Sequence, residues 1–369
     1  MQSVCRSPFL AVVAVIFVAA AAYASPKASA PLLRRIALPT YVRGSVSALA
    51  FSPRRRLLAA ATNGHVLIFN ARTGVLVRDL PEQDTDNDPS LSFVTRGRTL
   101  AVRTDQGVFL WNPRTAALKR ALVRPDSSDP GQIEAIAPNG RSISEVIRDL
   151  AGDEWVTSVR LQNGTATRFA PMIGAGHSGG PILSVRGIDY SPDGRILSVH
   201  IFADYSSQSS HPDRMLSGDE YWRFYDTRTG RLIGRTPDNV ASYGPLVYTP
   251  PVVFSPNGRY LALVDANRRR ASLYSLARKD TLPSFDKPAG TIPISPTCLS
   301  FSPDGRSIAT GSRDCCVKLW RTGQVGIMRS YRLLAGHTGN VTAIAFSSDS
   351  RLLASAAADG TIRLWRVGR

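Results

Sequence analysis

The residues best placed by type and spacing to do chemistry are Gly176-His177-Ser178-Gly179-Gly180-Pro181. A serine in a G-x-S-x-G frame has the form of a nucleophile elbow, where a strained turn between a strand and a helix exposes the hydroxyl to a base. No helical pattern follows this serine. The stretch after it, ILSVRGIDYSPDGRILSVHIF, alternates and turns as strands do, so Ser178 has no elbow to sit on. The remaining histidines, His65, His200, His211 and His337, show no H-E-x-x-H spacing, and Cys298, Cys315 and Cys316 form no C-x-x-C pair. These patterns support neither a metal centre nor a nucleophile. No catalytic, cofactor-binding or metal-ligating residue is therefore assigned, and no cofactor is expected.

The stretches that would have to position such side chains are copies of one another. In chain order they read SALAFSPRRRLLAAATNGHVLIFNARTG, LSFVTRGRTLAVRTDQGVFLWNPRTA, EAIAPNGRSISEV with VTSVRLQNGT, GIDYSPDGRILSVHIF with YWRFYDTRTG, VVFSPNGRYLALVDANRRRASLYSLARK, CLSFSPDGRSIATGSRDCCVKLWRTG, and the terminal YRLLAGHTGNVTAIAFSSDSRLLASAAADGTIRLWRV. Each is an apolar run, a Ser-Pro-Asp-Gly-like turn, a second run, an Asp/Gly turn, and a third run closed by a large residue. The closing residues are Phe69, Trp111, Leu161, Tyr225, Tyr274, Trp320 and Trp365, separated by 42, 50, 64, 49, 46 and 45 positions. A period of roughly 40 to 45 residues marks a repeat architecture whose units bury their apolar faces against one another.

Within a copy, Val341, Ala343 and Ala345 alternate with Thr342, Ile344 and Phe346, and both sets are apolar or small. That is the pattern of a sheet covered on both faces. Asn139-Gly140, Asp193-Gly194, Asn257-Gly258 and Asp304-Gly305 supply the positive φ angles of tight hairpins. Twenty-nine glycines and 25 prolines, with no long helical run, fit an all-β chain.

At these residues the chain resembles the WD-repeat family of β-propellers, over nearly all of its length after the first thirty positions. The last copy carries Gly336-His337 before its first run, Ser355 on the second, Asp359 in the turn and Trp365 on the third. The resemblance implies that His337, Ser355, Asp359 and Trp365 form a hydrogen-bonded network tying one blade together. It implies an all-β WD-repeat β-propeller working as a scaffold for protein partners; the copies make it seven-bladed, and a signal peptide is expected to precede it. The sixth copy keeps Thr310, Asp314 and Trp320 without Gly-His, and the third keeps little beyond its alternation. His177 falls where a repeat places its Gly-His turn, as Gly336 to Gly339 does, which gives it a structural role. The last copy stops at its third run. In the family the N-terminal segment commonly supplies the missing outer strand, so Leu32 to Pro39 is expected to close the ring and shield its edge.

Residues 1–24 have the form of a secretory signal peptide. Arg6 is the single charge, Phe9 to Ala22 is unbroken and apolar, and Ala22-Tyr23-Ala24 offers small-x-small before a cut. Residues 25–31 read as a flexible leader and 32–369 as one propeller. The expected location is outside the cytoplasm, periplasmic or extracellular, with membrane anchoring as the alternative if the segment stays uncleaved. Cys298 is expected on the first strand of blade six and Cys315-Cys316 at the opening of its third. Two strand spacings, about 9 to 10 Å, exceed the roughly 7 Å a disulfide tolerates, so free thiols are expected.

Removal of residues 1–24 leaves 44 basic residues against 28 acidic ones, a net of +16. Such a chain favours anionic surfaces. The turns after first and third strands open on one rim and carry the candidate basic binding residues Arg54, Arg55, Arg56, Arg96, Arg98, Arg114 and Arg228. The other rim holds most of the acids, with Arg268 to Arg270 as the exception, and also the long polar segment Ala203 to Glu220. No aromatic residues interleave with the basic turns, so base stacking and sequence-specific nucleic-acid recognition are not expected. The expected function is that of a monomeric, exported, non-catalytic scaffold for a protein partner. An anionic cell-envelope polymer on the basic rim is the alternative ligand. A hydrolase or lyase using the central channel is the alternative of a different kind. It requires acids, histidines or metal ligands on the innermost strands, where VTAIAF, CLSFSP and PVVFSP are apolar or small.

Overall fold

The computed structural model describes residues 31–80, 89–123, 134–169, 182–204, 218–235, 252–275, 296–321 and 331–368, apart from 43, 54–55, 95–96, 105–106, 138–141, 149–153, 161–165, 257–259 and 266–269. The expected signal peptide, the GHSGGP string, His211, most of the 203–220 segment, and Arg54, Arg55 and Arg96 lie outside the described residues.

Among the described residues the chain forms seven antiparallel sheets, six of four strands and one of three. In the first sheet the strands Ala48–Phe51, Leu57–Thr62, His65–Asn70 and Leu76–Leu80 follow one another as a meander. The next five sheets fall in 90–123, 134–168, 182–235, 252–275 and 296–334. The seventh pairs Val341–Phe346, Leu352–Ala357 and Thr361–Arg366 with a fourth strand from the other end of the chain, Leu32–Ala37. Leu32 lies opposite Trp365, Ile36 opposite Ile362, and Ala37 opposite Thr361.

Alternation sends the side chains of one strand to two different neighbours. Leu58 and Ala60, with Leu67 and Phe69, pack against Ala354, Ala356, Ile362 and Leu364 of the seventh sheet. Leu57, Ala59 and Ala61, with Val66 and Ile68, pack against Leu100, Val102 and Trp111 of the second. All six residues of Leu57–Thr62 are buried. Each large side chain removed from water in this way contributes about 1.5 to 3 kcal/mol. A one-residue slip would exchange the two sets and bring leucines where alanines fit, so the pattern fixes the register.

The turns between neighbouring sheets also touch. The Ser348 hydroxyl donates to the Pro53 carbonyl at 2.8 Å, and the Asp304 N–H donates to Ser350 Oγ at 3.0 Å. These bonds put the turns after the first strands of sheets six, seven and one on a single rim. Among the described residues no helix is long and apolar enough to cross a membrane.

One sequence expectation needs correction. Cys315 and Cys316 do not open the third strand of the sixth sheet, which runs Val317–Arg321. They sit in the turn before it, where Cys315 takes a left-handed φ of 62° and the Cys316 N–H donates to Asp314 Oδ1 at 3.0 Å. The Asp314 carboxylate organises the turn and holds both cysteines out of the ladder. Cys298 is buried on the first strand, all three thiols are free, and burial pushes the Cys298 thiol up to about 12.

Candidate binding rim

The turn after the first strand is built the same way in three sheets. In each, a serine hydroxyl donates to an aspartate two residues on at 2.6 Å: Ser191 to Asp193, Ser302 to Asp304, and Ser347 to Asp349. The same serine oxygen accepts a backbone N–H from the start of the second strand, at 2.9 Å from Ile196, 2.8 Å from Ser307 and 2.9 Å from Leu352. The aspartate accepts the N–H of the arginine that follows, at 3.1, 3.0 and 3.1 Å for Arg195, Arg306 and Arg351. The aspartate's charge is thus consumed inside the turn. Serine and backbone donors hold Asp349 below the usual carboxylate range, and they do so at Asp304 against the desolvation that opposes its ionisation. The arginine's backbone is clamped while its side chain projects from the rim.

The turn after the third strand repeats the device with Asn or Asp. Asn70, Asn112 and Asp226 accept the N–H groups of Arg72, Arg114 and Arg228 at 2.9, 3.1 and 3.0 Å. Of the arginines expected on this rim, Arg56, Arg98, Arg114 and Arg228 are described, and all four are exposed. No hydrogen bond from their guanidinium groups to a described residue is found, whereas Arg78, on the flank of the first sheet, donates to the Arg114 carbonyl at 2.9 Å.

His337, Ser355, Asp359 and Trp365 are brought together inside the seventh sheet. Trp365 Nε1–H donates to Ser355 Oγ at 2.8 Å, and an indole can only donate. The serine's own proton therefore points at His337 Nε2, 2.8 Å away. That leaves Nδ1 as the protonated nitrogen, donating to Asp359 Oδ2 at 3.0 Å. Asp359 also accepts from Thr338 N–H at 3.0 Å and from the Thr361 hydroxyl at 2.7 Å. Desolvation opposes its ionisation, but these donors prevail and hold its carboxyl at about 2. Burial lowers the His337 pKa against the pull of Asp359, in keeping with a neutral ring.

Three segments, 38–70, 288–321 and 328–366, match the family model described as WD domain, G-beta repeat. In these segments the chain is similar to WD-repeat β-propellers. No curated protein matches it. The matched segments fall on the first and the last two sheets, and the last of them carries the complete network.

Elsewhere the WD-repeat network is replaced. In the sixth sheet Trp320 Nε1–H donates to Thr310 Oγ1 at 3.0 Å, but the histidine's place by Asp314 is taken by the ammonium of Lys318, 2.7 Å from Oδ2. That lysine side chain is only 6% exposed, and the Asp314 carboxylate is its partner inside the sheet. In the third sheet Ser144 and Ser158 meet the Tyr190 hydroxyl of the fourth at 2.5 and 2.9 Å, a tie between sheets instead of within one. The motif pattern indicates neither substitution.

The innermost strands also carry acids, Glu134 on Glu134–Ile136 and Asp189 on Ile182–Tyr190. Asp189 is solvent-exposed, yet protein around it displaces enough bulk water to push its pKa up to about 6, against the lowering pull of Arg103. Among the described residues no group of three or more His, Cys, Asp and Glu side chains could hold a metal. WD-repeat propellers generally act as protein-interaction scaffolds and are usually non-catalytic.

Proposed function

We propose that this WD-repeat protein is an exported, monomeric, non-catalytic scaffold, a seven-bladed ring closed by strand Leu32–Ala37, which holds a protein partner on its arginine-bearing rim. The observation carrying the reading is the division of labour in the turns: each aspartate accepts from the serine and backbone of its own turn, and the arginine that follows is exposed, Arg195 alone of the three keeping a long 3.9 Å contact to its aspartate. Opposed charge on two rims of one body steers an anionic partner to one face. The apolar stretch and small-x-small site in residues 1–24 support export, with Ser25 as the expected first residue of the released chain.

The same charge suits an anionic envelope polymer, and salt separates the two. Binding to a charged polymer should collapse as the Debye length falls from about 8 Å to about 3 Å at 1 M, whereas a partly apolar protein interface persists. The rim itself is tested by replacing Arg54, Arg55 and Arg56 with Glu and measuring retention on immobilised heparin. Retention should fall well below that of a control in which Arg268, Arg269 and Arg270 are reversed. Equal weakening of both variants would reduce the charge to a diffuse solubilising one.

A further inference from the structure

Between the first and seventh sheets, on the arginine-bearing rim, lies a cavity of about 980 Å³. Five arginines line it, Arg34, Arg56, Arg72, Arg351 and Arg366, against one carboxylate, Asp349. Among the described residues none of the five guanidinium groups is in a hydrogen bond or salt bridge, while Asp349 is already bound by the Ser347 hydroxyl and the Arg351 N–H. Arg34 is held over the cavity by its fit to Gly74, where φ is +71° and any Cβ would meet the arginine Cδ at 2.5 Å.

A second feature of the cavity is a missing carboxylate. The first sheet's turn reads Ser52-Pro53-Arg54-Arg55-Arg56, with Arg54 where the three serine-aspartate turns carry their acid. Ser52 lines the cavity and is 5% exposed, and its hydroxyl has no hydrogen-bond partner among the described residues. A buried hydroxyl left in that state is costly, and a carboxylate is what satisfies it in the sister turns. The wall is also partly apolar: Leu33 is 41% exposed and Phe51 is half-buried. A bare polyanion would leave that surface unused.

Resting on the rim reading above, we propose that this cleft between the first and last blades binds an acidic peptide segment of a partner protein. Its carboxylates sit among the five guanidinium groups and take the place of the acid absent from the Ser52 turn, and an apolar side chain lies against Leu33 and Phe51. The cavity is within the roughly 300 to 1,000 Å³ usual for ligand sites.

The test is fluorescence anisotropy of the purified protein with a fluorescein-labelled DELDELDE peptide, beside DESDESDE, KKLKKLKK and a heparin octasaccharide. DELDELDE should bind saturably and more tightly than the other three. Arg72→Glu, Arg351→Glu and Arg366→Glu together should weaken it about tenfold or more, by the usual worth of three ion pairs at a surface. Arg195→Glu, Arg228→Glu and Arg306→Glu, the same charge change on the same rim outside the cleft, should weaken it less than about twofold. Arg54→Asp with Arg55→Gly restores the serine-aspartate turn, so it should raise the melting temperature while weakening the peptide, a pairing that misfolding would not produce. Equal weakening by the two triple variants overturns the cleft and leaves the rim standing. Absence of saturable DELDELDE binding also overturns the cleft, and heparin retention then judges the rim separately. DESDESDE or the octasaccharide binding as tightly as DELDELDE overturns the choice of a peptide with an apolar anchor.

Discussion

Ser355→Ala should be among the most damaging single-atom deletions in the molecule. The serine oxygen is fully buried, accepts the Trp365 indole N–H at 2.8 Å and donates to His337 Nε2 at 2.8 Å. Its removal leaves two polar atoms buried without partners, at about 1 to 3 kcal/mol each. The expected loss is about 2 to 5 kcal/mol, a large part of the 5 to 15 kcal/mol that usually separates folded from unfolded chains. Thr310→Ala in the sixth sheet supplies the internal scale. Its hydroxyl oxygen accepts Trp320 Nε1–H at 3.0 Å and donates to the Lys318 carbonyl at a long 3.5 Å, but no histidine lies beyond it, so the indole is the main group orphaned and the loss should be about half as large. Urea titration followed by tryptophan fluorescence measures both. A Ser355→Ala cost under about 0.5 kcal/mol, the range of ordinary surface changes, or a cost no greater than that of Thr310→Ala, would refute the reasoning that the four side chains act as one unit.

The network also predicts a pH response. Asp359, held at about 2, lends stability that is complete above the unfolded value near 4 and is lost as pH falls toward 2; His337, with its lowered pKa, lends stability that is complete above about 6.5 and fades below it. Asp359→Asn should flatten the acid limb of a stability-against-pH curve, and an unchanged limb would contradict this. Asp189 works in the opposite sense: its raised pKa means that ionisation opposes folding between about pH 4 and 6, so Asp189→Asn should gain stability at pH 7 and not at pH 4 in parallel urea titrations. A chain starting at Tyr41 lacks the outer strand of the seventh sheet and should melt far below the chain that retains it, or aggregate through the bared Thr361–Arg366 edge. In the chain without residues 1–24, and so without Cys5, thiol titration with Ellman's reagent at pH 8 should leave Cys298 silent until denaturant is added, whereupon three thiols should be counted.

The sequence was most legible where a local pattern implies a local contact. The spacing of His337, Ser355, Asp359 and Trp365 pointed to a network spanning fewer than thirty residues, and the alternation of Leu57–Thr62 anticipated burial on both faces. What resisted reading depends on which distant segments become neighbours. Tyr190 reaches Ser144 and Ser158 across 46 and 32 positions, and no periodicity marks it. Lys318 looks like an exposed strand lysine until its pairing with Asp314 is seen. The triple arginine of the first turn was visible as basic charge, but its other meaning, a missing acid, emerges only beside the three serine-aspartate turns. The cleft itself joins Arg56 to Arg351, nearly the whole chain apart.

The pairing of Leu32–Ala37 with Thr361–Arg366 has a temporal side. During synthesis at about 5 to 20 residues per second, the first strand waits roughly 15 to 65 seconds before its partner exists. For that interval Leu32, Leu33 and Ile36 form an apolar strand with no sheet to join, which is the kind of segment that seeds misassembly. Arg34 and Arg35 sit in its middle, both exposed in the finished sheet. Their charges guard the strand while it waits, and one of them, once the wait is over, becomes a wall of the cleft.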